Sequence, residues 1–92
     1  QVGDIVLDDD RRIVTVGEEE KNVTFKEYEL LKYLMINKGI VLSRDKIMEA
    51  VWGFDFQGES RTVDMHIKTL RQKIGSERNR IKTVRNVGYK IE

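Results

Sequence analysis

The stretch Ser60-Arg-Thr-Val-Asp-Met-His-Ile-Lys-Thr-Leu-Arg-Gln-Lys-Ile-Gly75, SRTVDMHIKTLRQKIG, decides how the chain is read. At about 100° per residue, Val63, Ile67, Leu70 and Ile74 fall in one narrow sector, the i, i+4, i+7, i+11 pattern of a helix laid on a core. Opposite that sector lie Arg61, Met65, Lys68, Thr69 and Gln72, with Asp64, His66, Arg71 and Lys73 on the flanks. A helix that is merely solvated more usually carries Glu and Lys in i,i+4 pairs, and Asp64 with Lys68 is the only such pair here. The outer face instead mixes charged, amide, hydroxyl and thioether groups.

Size and composition limit what that face can serve. Ninety-two residues make one small domain, spanning 1–92, with room for a modest core. The absence of Cys excludes disulfides, thiolate nucleophiles and Cys-based zinc sites, and a single His excludes a histidine-rich metal site. No cofactor is expected. No run approaches the ~18 apolar residues of a membrane span, so the chain is expected to be soluble and cytoplasmic. It begins with Gln1, which suggests a fragment of a longer protein. His66 has no paired acid and nucleophile in the pattern, and no carboxylates converge as a nuclease site requires, so catalysis is not expected.

The near-neutral net charge of +1 conceals a division along the chain. Residues 1–30 hold nine acids against four bases, whereas residues 61–92 hold nine bases against three acids. A basic end of this kind suits a polyanion. The outer face of the 60–75 helix is then suited to phosphates at its edges and base edges at its centre.

The remaining elements follow from local signals. Ile5-Val-Leu7, Ile13-Val-Thr-Val16 and Asn22-Val-Thr24 predict a small antiparallel meander, with Asp8-Asp-Asp10 and Gly17-Glu-Glu-Glu20 as solvated turns. Thr24-Phe-Lys-Glu27 is a capping box that opens a helix. Leu30, Leu31, Leu34 and Met35, joined by Tyr28, form its apolar stripe, and Asn37-Lys38-Gly39 its stop. Ser43 is the next N-cap, with Ile47, Ala50 and Val51 on the inner face of a second helix ending near Trp52-Gly53. Ser60 or Thr62 caps the third.

The tail reads as a hairpin, Ile81–Arg85 and Tyr89–Ile91, turning through Asn86-Val87-Gly88 with Gly88 at positive φ; Arg78 and Arg80 precede it on a solvated loop. Three helices followed by a basic hairpin describe an α+β winged helix-turn-helix, whose third helix enters the major groove. Tyr89 is the only aromatic of the basic tail, so no platform for unpaired RNA bases is visible.

Five motifs now point to a family: VTFKEYELLKYL at 23–34, NKGIVLSRDKI at 37–47, VWG at 51–53, RTVDMHIKTLRQKI at 61–74 and IKTVRNVGYK at 81–90. Together they resemble the C-terminal effector domain of OmpR/PhoB-type response regulators, over nearly the whole chain. The resemblance implies a four-stranded N-terminal antiparallel sheet, three helices and a C-terminal β-hairpin wing, binding duplex DNA as two copies on direct-repeat half-sites. It implies phosphate contacts from Arg61, Thr62, His66, Lys68 and Arg71, base approach by Asp64, Met65 and Thr69, and a phosphate on the indole N–H of Trp52. Thr83 and Tyr89 match wing positions on the DNA backbone, and Arg85 one that enters the minor groove. Phe54, Asp55, Phe56, Gln57, Gly58 and Glu59 match the loop that meets RNA polymerase. A receiver domain and a sensor kinase belong to such systems and lie outside these residues.

Two departures qualify the resemblance. Asn86 stands where the family usually has Gly in the wing turn, and Asn tolerates positive φ better than most residues. Thr69 stands where some members carry Arg, so no base preference is borrowed. The alternative is a winged helix used only for protein association, which would need an exposed apolar patch in place of Arg61, Lys68 and Arg71.

Overall fold

The computed structural model describes residues 1–53 and 60–92. Strands β1 (Ile5–Asp8), β2 (Ile13–Val16) and β3 (Glu19–Lys21) form an antiparallel sheet in chain order. It has three strands, not the four that the resemblance implies. The third begins at Glu19 rather than Asn22, since the turn closes on Gly17-Glu18 with Gly17 at φ 64°. Two of the three glutamates read as a turn are therefore strand residues, with Thr15 opposite Glu20 and Val16 opposite Glu19.

Helix α1 (Phe25–Ile36) starts where the capping box places it: Glu27 N–H donates to Thr24 Oγ1 at 3.2 Å and Thr24 N–H to Glu27 Oε1 at 2.8 Å. Tyr28, Leu30, Leu31 and Leu34 are buried, and Gly39 lies beyond the stop at φ 83°. The aspartates after β1 are exposed, as a solvated turn requires, and Asp9 also bonds inward. Asp9 accepts from the Tyr28 hydroxyl at 2.7 Å and pairs with Lys32 at 2.9 Å, tying the sheet to α1. Burial, reinforced by that bond to Asp9, pushes the Tyr28 phenol up to about 12.

After α1 the chain forms a two-residue strand, β4 (Leu42–Ser43), and passes directly into α2 (Arg44–Val51). Ser43 Oγ accepts from Lys46 N–H at 3.1 Å, as an N-cap should. Ile47 and Val51 are buried, whereas Ala50 is exposed and not on the inner face. Helix α3 (Arg61–Ile74) lays Val63, Ile67, Leu70 and Ile74 on the core, each at most 1% exposed. Burying four such side chains contributes about 1.5–3 kcal/mol apiece, which fixes the rotation of α3 about its own axis. Neither Ser60 nor Thr62 caps it: Ser60 holds the N-cap position without a side-chain bond, and Thr62 is already helical.

A 3-10 turn (Gly75–Arg80) leads into β5 (Ile81–Val84) and β6 (Gly88–Ile91), which form a second sheet in the order β4-β6-β5. Arg80 is not a solvated loop residue, because its guanidinium engages Glu77 and the carbonyl of Glu92. The hairpin turns through Arg85-Asn86-Val87, closed by Val87 N–H to Val84 O at 2.9 Å. Asn86, at φ 66°, supplies the left-handed residue, so the substitution for glycine preserves the turn.

Gly88 has another role than the one its sequence position predicts. A Cβ on it would stand 1.9 Å from Leu42 O, so it must be glycine for β6 to pass β4. Among the described residues three α-helices thus sit between two small sheets, and none is long and apolar enough to cross a membrane.

Candidate nucleic-acid interface

With its apolar stripe anchored, α3 presents the opposite face outward. Arg61, Met65, Lys68, Thr69 and Gln72 are exposed, Met65 to 65%. The side chains of Arg61, Met65 and Lys68 make no hydrogen bond or ion pair with the described residues. Arg85, at the tip of the hairpin, is exposed in the same way. These four residues are the part of the expected site that is left open to a ligand.

The other expected residues bond to the protein itself. Asp64 accepts from the Tyr89 hydroxyl at 2.5 Å and from Arg44 Nε at 2.9 Å. It therefore joins three elements: α3, β6 and the first residue of α2. Burial, then the bond to Asp64, raises the Tyr89 phenol above its ordinary value, which keeps it a neutral donor. Tyr89 is only 6% exposed, so its ring is core and little of it remains for a DNA backbone. Asp64 in turn raises Arg44.

Arg71 spans from α3 to the wing. One of its terminal nitrogens donates to Ile81 O at 2.7 Å and to Thr83 Oγ1 at 2.8 Å, with the guanidinium carbon 5.7 Å from the centre of the Tyr89 ring. Two residues expected to meet phosphates, Arg71 and Thr83, thus meet each other. The planar guanidinium suits this task, since it satisfies two acceptors at once and holds β5 against the helix.

His66 Nδ1 lies 2.8 Å from Thr62 O, and a carbonyl can only accept, so Nδ1 carries the proton. Its ring meets Trp52 edge-on, with centroids 4.9 Å apart. Trp52 packs against the core beside the end of α2. There Lys26 Nζ donates to Val51 O at 2.8 Å and stands 5.8 Å from the indole centre, placing a cation at the helix C-terminus.

Thr69 is exposed, yet its hydroxyl reaches Glu27 Oε2 at 2.6 Å. Lys73 Nζ reaches Oε1 of the same carboxylate at 2.5 Å. Glu27 is 3% exposed and is the one buried charged residue among those described. Burial alone would raise its pKa, but the bonds from Lys73, Thr69 and the Thr24 amide outweigh burial and hold it at about 2.

Sequence reasoning reached Glu27 only as half of a capping box and did not reach Arg44 or Lys26 at all. Their partners lie 20 or more residues away, where no local pattern points. Lys82 is exposed in β5, opposite Lys90, and had a local signal, since it alternates with the inward-facing Ile81. Phe54 to Glu59, expected from the resemblance to meet RNA polymerase, lie outside the described residues.

Comparison with known proteins gives this arrangement its context. The family described as "Transcriptional regulatory protein, C terminal" matches residues 17–91. The alkaline phosphatase synthesis transcriptional regulatory protein PhoP of Bacillus subtilis is 44% identical over 99% of this chain and 39% of its own length. The heme response regulator HssR of Staphylococcus epidermidis is 40% identical over all of this chain and 42% of its own. The chain thus spans about two fifths of the curated relatives it matches.

Among solved structures, the RstA DNA-binding domain of Klebsiella pneumoniae in complex with the RstA box superposes with a TM-score of 0.86 at 32% identity, covering 99% of this chain and 93% of that one. The AdeR DNA-binding domain in complex with an intercistronic region gives 0.89 at 26% identity, covering 100% and 96%. Family match, relatives and fold agree over almost every residue, and the chain belongs to the C-terminal transcriptional regulatory family, the effector domains of OmpR/PhoB-type response regulators.

Proposed function

We propose that the chain binds duplex DNA sequence-specifically, as the output domain of a two-component response regulator that controls transcription. The observation that carries this reading is the open set on α3 and the wing. Arg61 and Lys68 offer charge on either side of Met65, and Arg85 extends the same basic surface from the hairpin tip. Such a helix fits the major groove, with Met65 and Thr69 at base edges and the cations on flanking phosphates. Arg85 follows the negative potential of a narrow minor groove. Thr62, His66 and Trp52 form the polar end of the surface and take a phosphate there. Asp64, Arg71, Thr83 and Tyr89 hold the helix and wing in register and act on DNA through that geometry.

The wider assignments rest on family membership. The intact regulator carries a receiver domain phosphorylated by a sensor kinase, works in the cytoplasm, places two copies on direct repeats, and meets RNA polymerase through residues 54–59. The family is one of DNA-binding transcription regulators, which is not an enzyme class. The association-only alternative fares worse, because Met65 is the one large apolar side chain that α3 exposes and Arg61 and Lys68 stand exposed on either side of it, whereas Ile36, Ile40 and Val41 belong to α1 and the segment after it.

Titration of labelled duplexes at low and moderate salt tests the proposal. A duplex selected from a random pool should bind at least about 10³-fold more tightly than unrelated sequence, and both should weaken as salt rises. Failure to bind any duplex at low salt would leave protein association as the function.

A further inference from the structure

Glu27 belongs to α1, yet two of its three donors come from α3. Thr24 N–H and Lys73 Nζ converge on Oε1, at 2.8 and 2.5 Å, while Thr69 Oγ1 alone reaches Oε2, at 2.6 Å. A threonine hydroxyl has one proton to give and two lone pairs. Two acceptors compete for that proton: the ionised carboxylate at 2.6 Å and the carbonyl of His66 at 3.1 Å. The charged and closer partner takes it.

We infer that Glu27 sets which bases Thr69 can read, by holding the Thr69 hydroxyl proton and leaving that oxygen only an acceptor toward DNA. The inference rests on the placement of α3 in the major groove. In that groove adenine and cytosine present amino donors, whereas guanine presents the N7 and O6 acceptors. An acceptor-only Thr69 favours a base with an exposed amino group and opposes guanine at the same point. Glu27 is thus a positioning residue for specificity that itself touches no DNA: it is 3% exposed and lies beneath the helix that does the reading.

The arrangement makes Glu27→Gln a sharp test. With two donors converging where Oε1 stands, the glutamine carbonyl must take that place, and its NH2 group then faces Thr69. The contact is inverted. Thr69 becomes the acceptor toward residue 27, and its proton is released to choose between the His66 carbonyl and a base.

Operators selected with the wild-type chain provide a panel of single-base variants, on which binding isotherms are compared for wild type, Glu27→Gln and Thr69→Val. Each profile is normalised to that protein's best duplex, so a uniform loss of affinity or stability drops out. Wild type should prefer an amino-bearing base over guanine about tenfold at one position, and both variants should shrink this to about twofold or less there alone. If Thr69→Val keeps the wild-type profile, Thr69 reads no base, and the inference falls together with the placement of that residue on DNA. If Thr69→Val flattens the profile while Glu27→Gln preserves it, α3 reads DNA as proposed and Glu27 is structural only.

One measurement needs no variant. In the wild-type complex the Thr69 hydroxyl proton should give a slowly exchanging NMR resonance coupled to the Glu27 carboxyl carbon. A proton in rapid exchange with water, or bonded to a base, would overturn the inference even if Glu27→Gln failed to fold.

Discussion

Lys68 and Lys73 sit five residues apart on the same helix and have opposite fates. Lys68 stands exposed, without a partner among the described residues, whereas Lys73 pairs with the buried carboxylate of Glu27. The same contrast separates Arg61 from Arg71. What divides the members of each pair is angle about the axis of α3, not residue type. The flanks, where α1, α2 and the wing approach, take polar side chains into the fold, as Thr69 does from the outer face; Arg61, Met65 and Lys68 are left for a ligand. A basic residue on a recognition helix is therefore not by itself a DNA contact.

Acid should break the tied set first. Glu27 titrates at about 2 in the fold against an ordinary 4.5. Its contribution to stability is therefore fully present above pH ~4.5 and lost as pH falls toward ~2, a loss of about 3 kcal/mol. Lys73→Met should flatten that limb of the pH profile and cost about 2 kcal/mol at pH 7, whereas Lys68→Met should change stability by no more than about 0.5 kcal/mol. Denaturant unfolding across pH distinguishes them. Equal stability of the two variants at pH 7 would erase the division between tied and open cations.

A smaller effect is expected where the helix holds the wing. Arg71→Gln removes charge-assisted bonds to Ile81 O and Thr83 Oγ1, costing about 1–2 kcal/mol, and the β5–β6 amides should exchange faster than those of β1–β2. Hydrogen exchange reports this directly. Unchanged protection of the hairpin would show that the side chain serves only a ligand.

The smallest change in the protein alone should follow Lys68→Ala. Its melting temperature should stay that of wild type, while affinity for specific and random duplexes falls alike and the salt slope drops by about one ion. An unaltered slope would remove Lys68 from the open set.

Sequence reasoning reached what repeats locally and missed what is settled at a distance. The stripe of Val63, Ile67, Leu70 and Ile74, the capping box at Thr24 and the Ser43 cap were all legible because each is specified within a turn or two of helix. Strand β4 was not, since two residues carry no period and its partner Gly88 lies beyond two helices. Gly88 itself was read as a turn glycine because the atom that excludes a side chain there, Leu42 O, is distant in the chain. In the site, helical angle placed Arg61, Met65 and Lys68 on the outer face, and the resemblance to the family supplied their roles and that of Arg85. The internal ties of Asp64, Thr69, Arg71 and Tyr89 depend on partners that only the folded chain brings close.

Strand β6 is shared, pairing with β5 on one edge and with β4 on the other. One pairing is local in the chain and the other distant. As the chain is synthesised, β4 and the start of α2 appear long before the strand that completes them, and the hairpin partner β5 arrives just ahead of it. The local β5–β6 pairing forms readily, whereas joining Ser43 to Gly88 requires closing a loop that contains both α2 and α3, and such distant pairings form slowly. A nascent chain halted before Gly88 can hold helical segments and still lack any fixed angle between α2 and the future wing. Strand β6 is thus the one that ties the start of α2 to the wing.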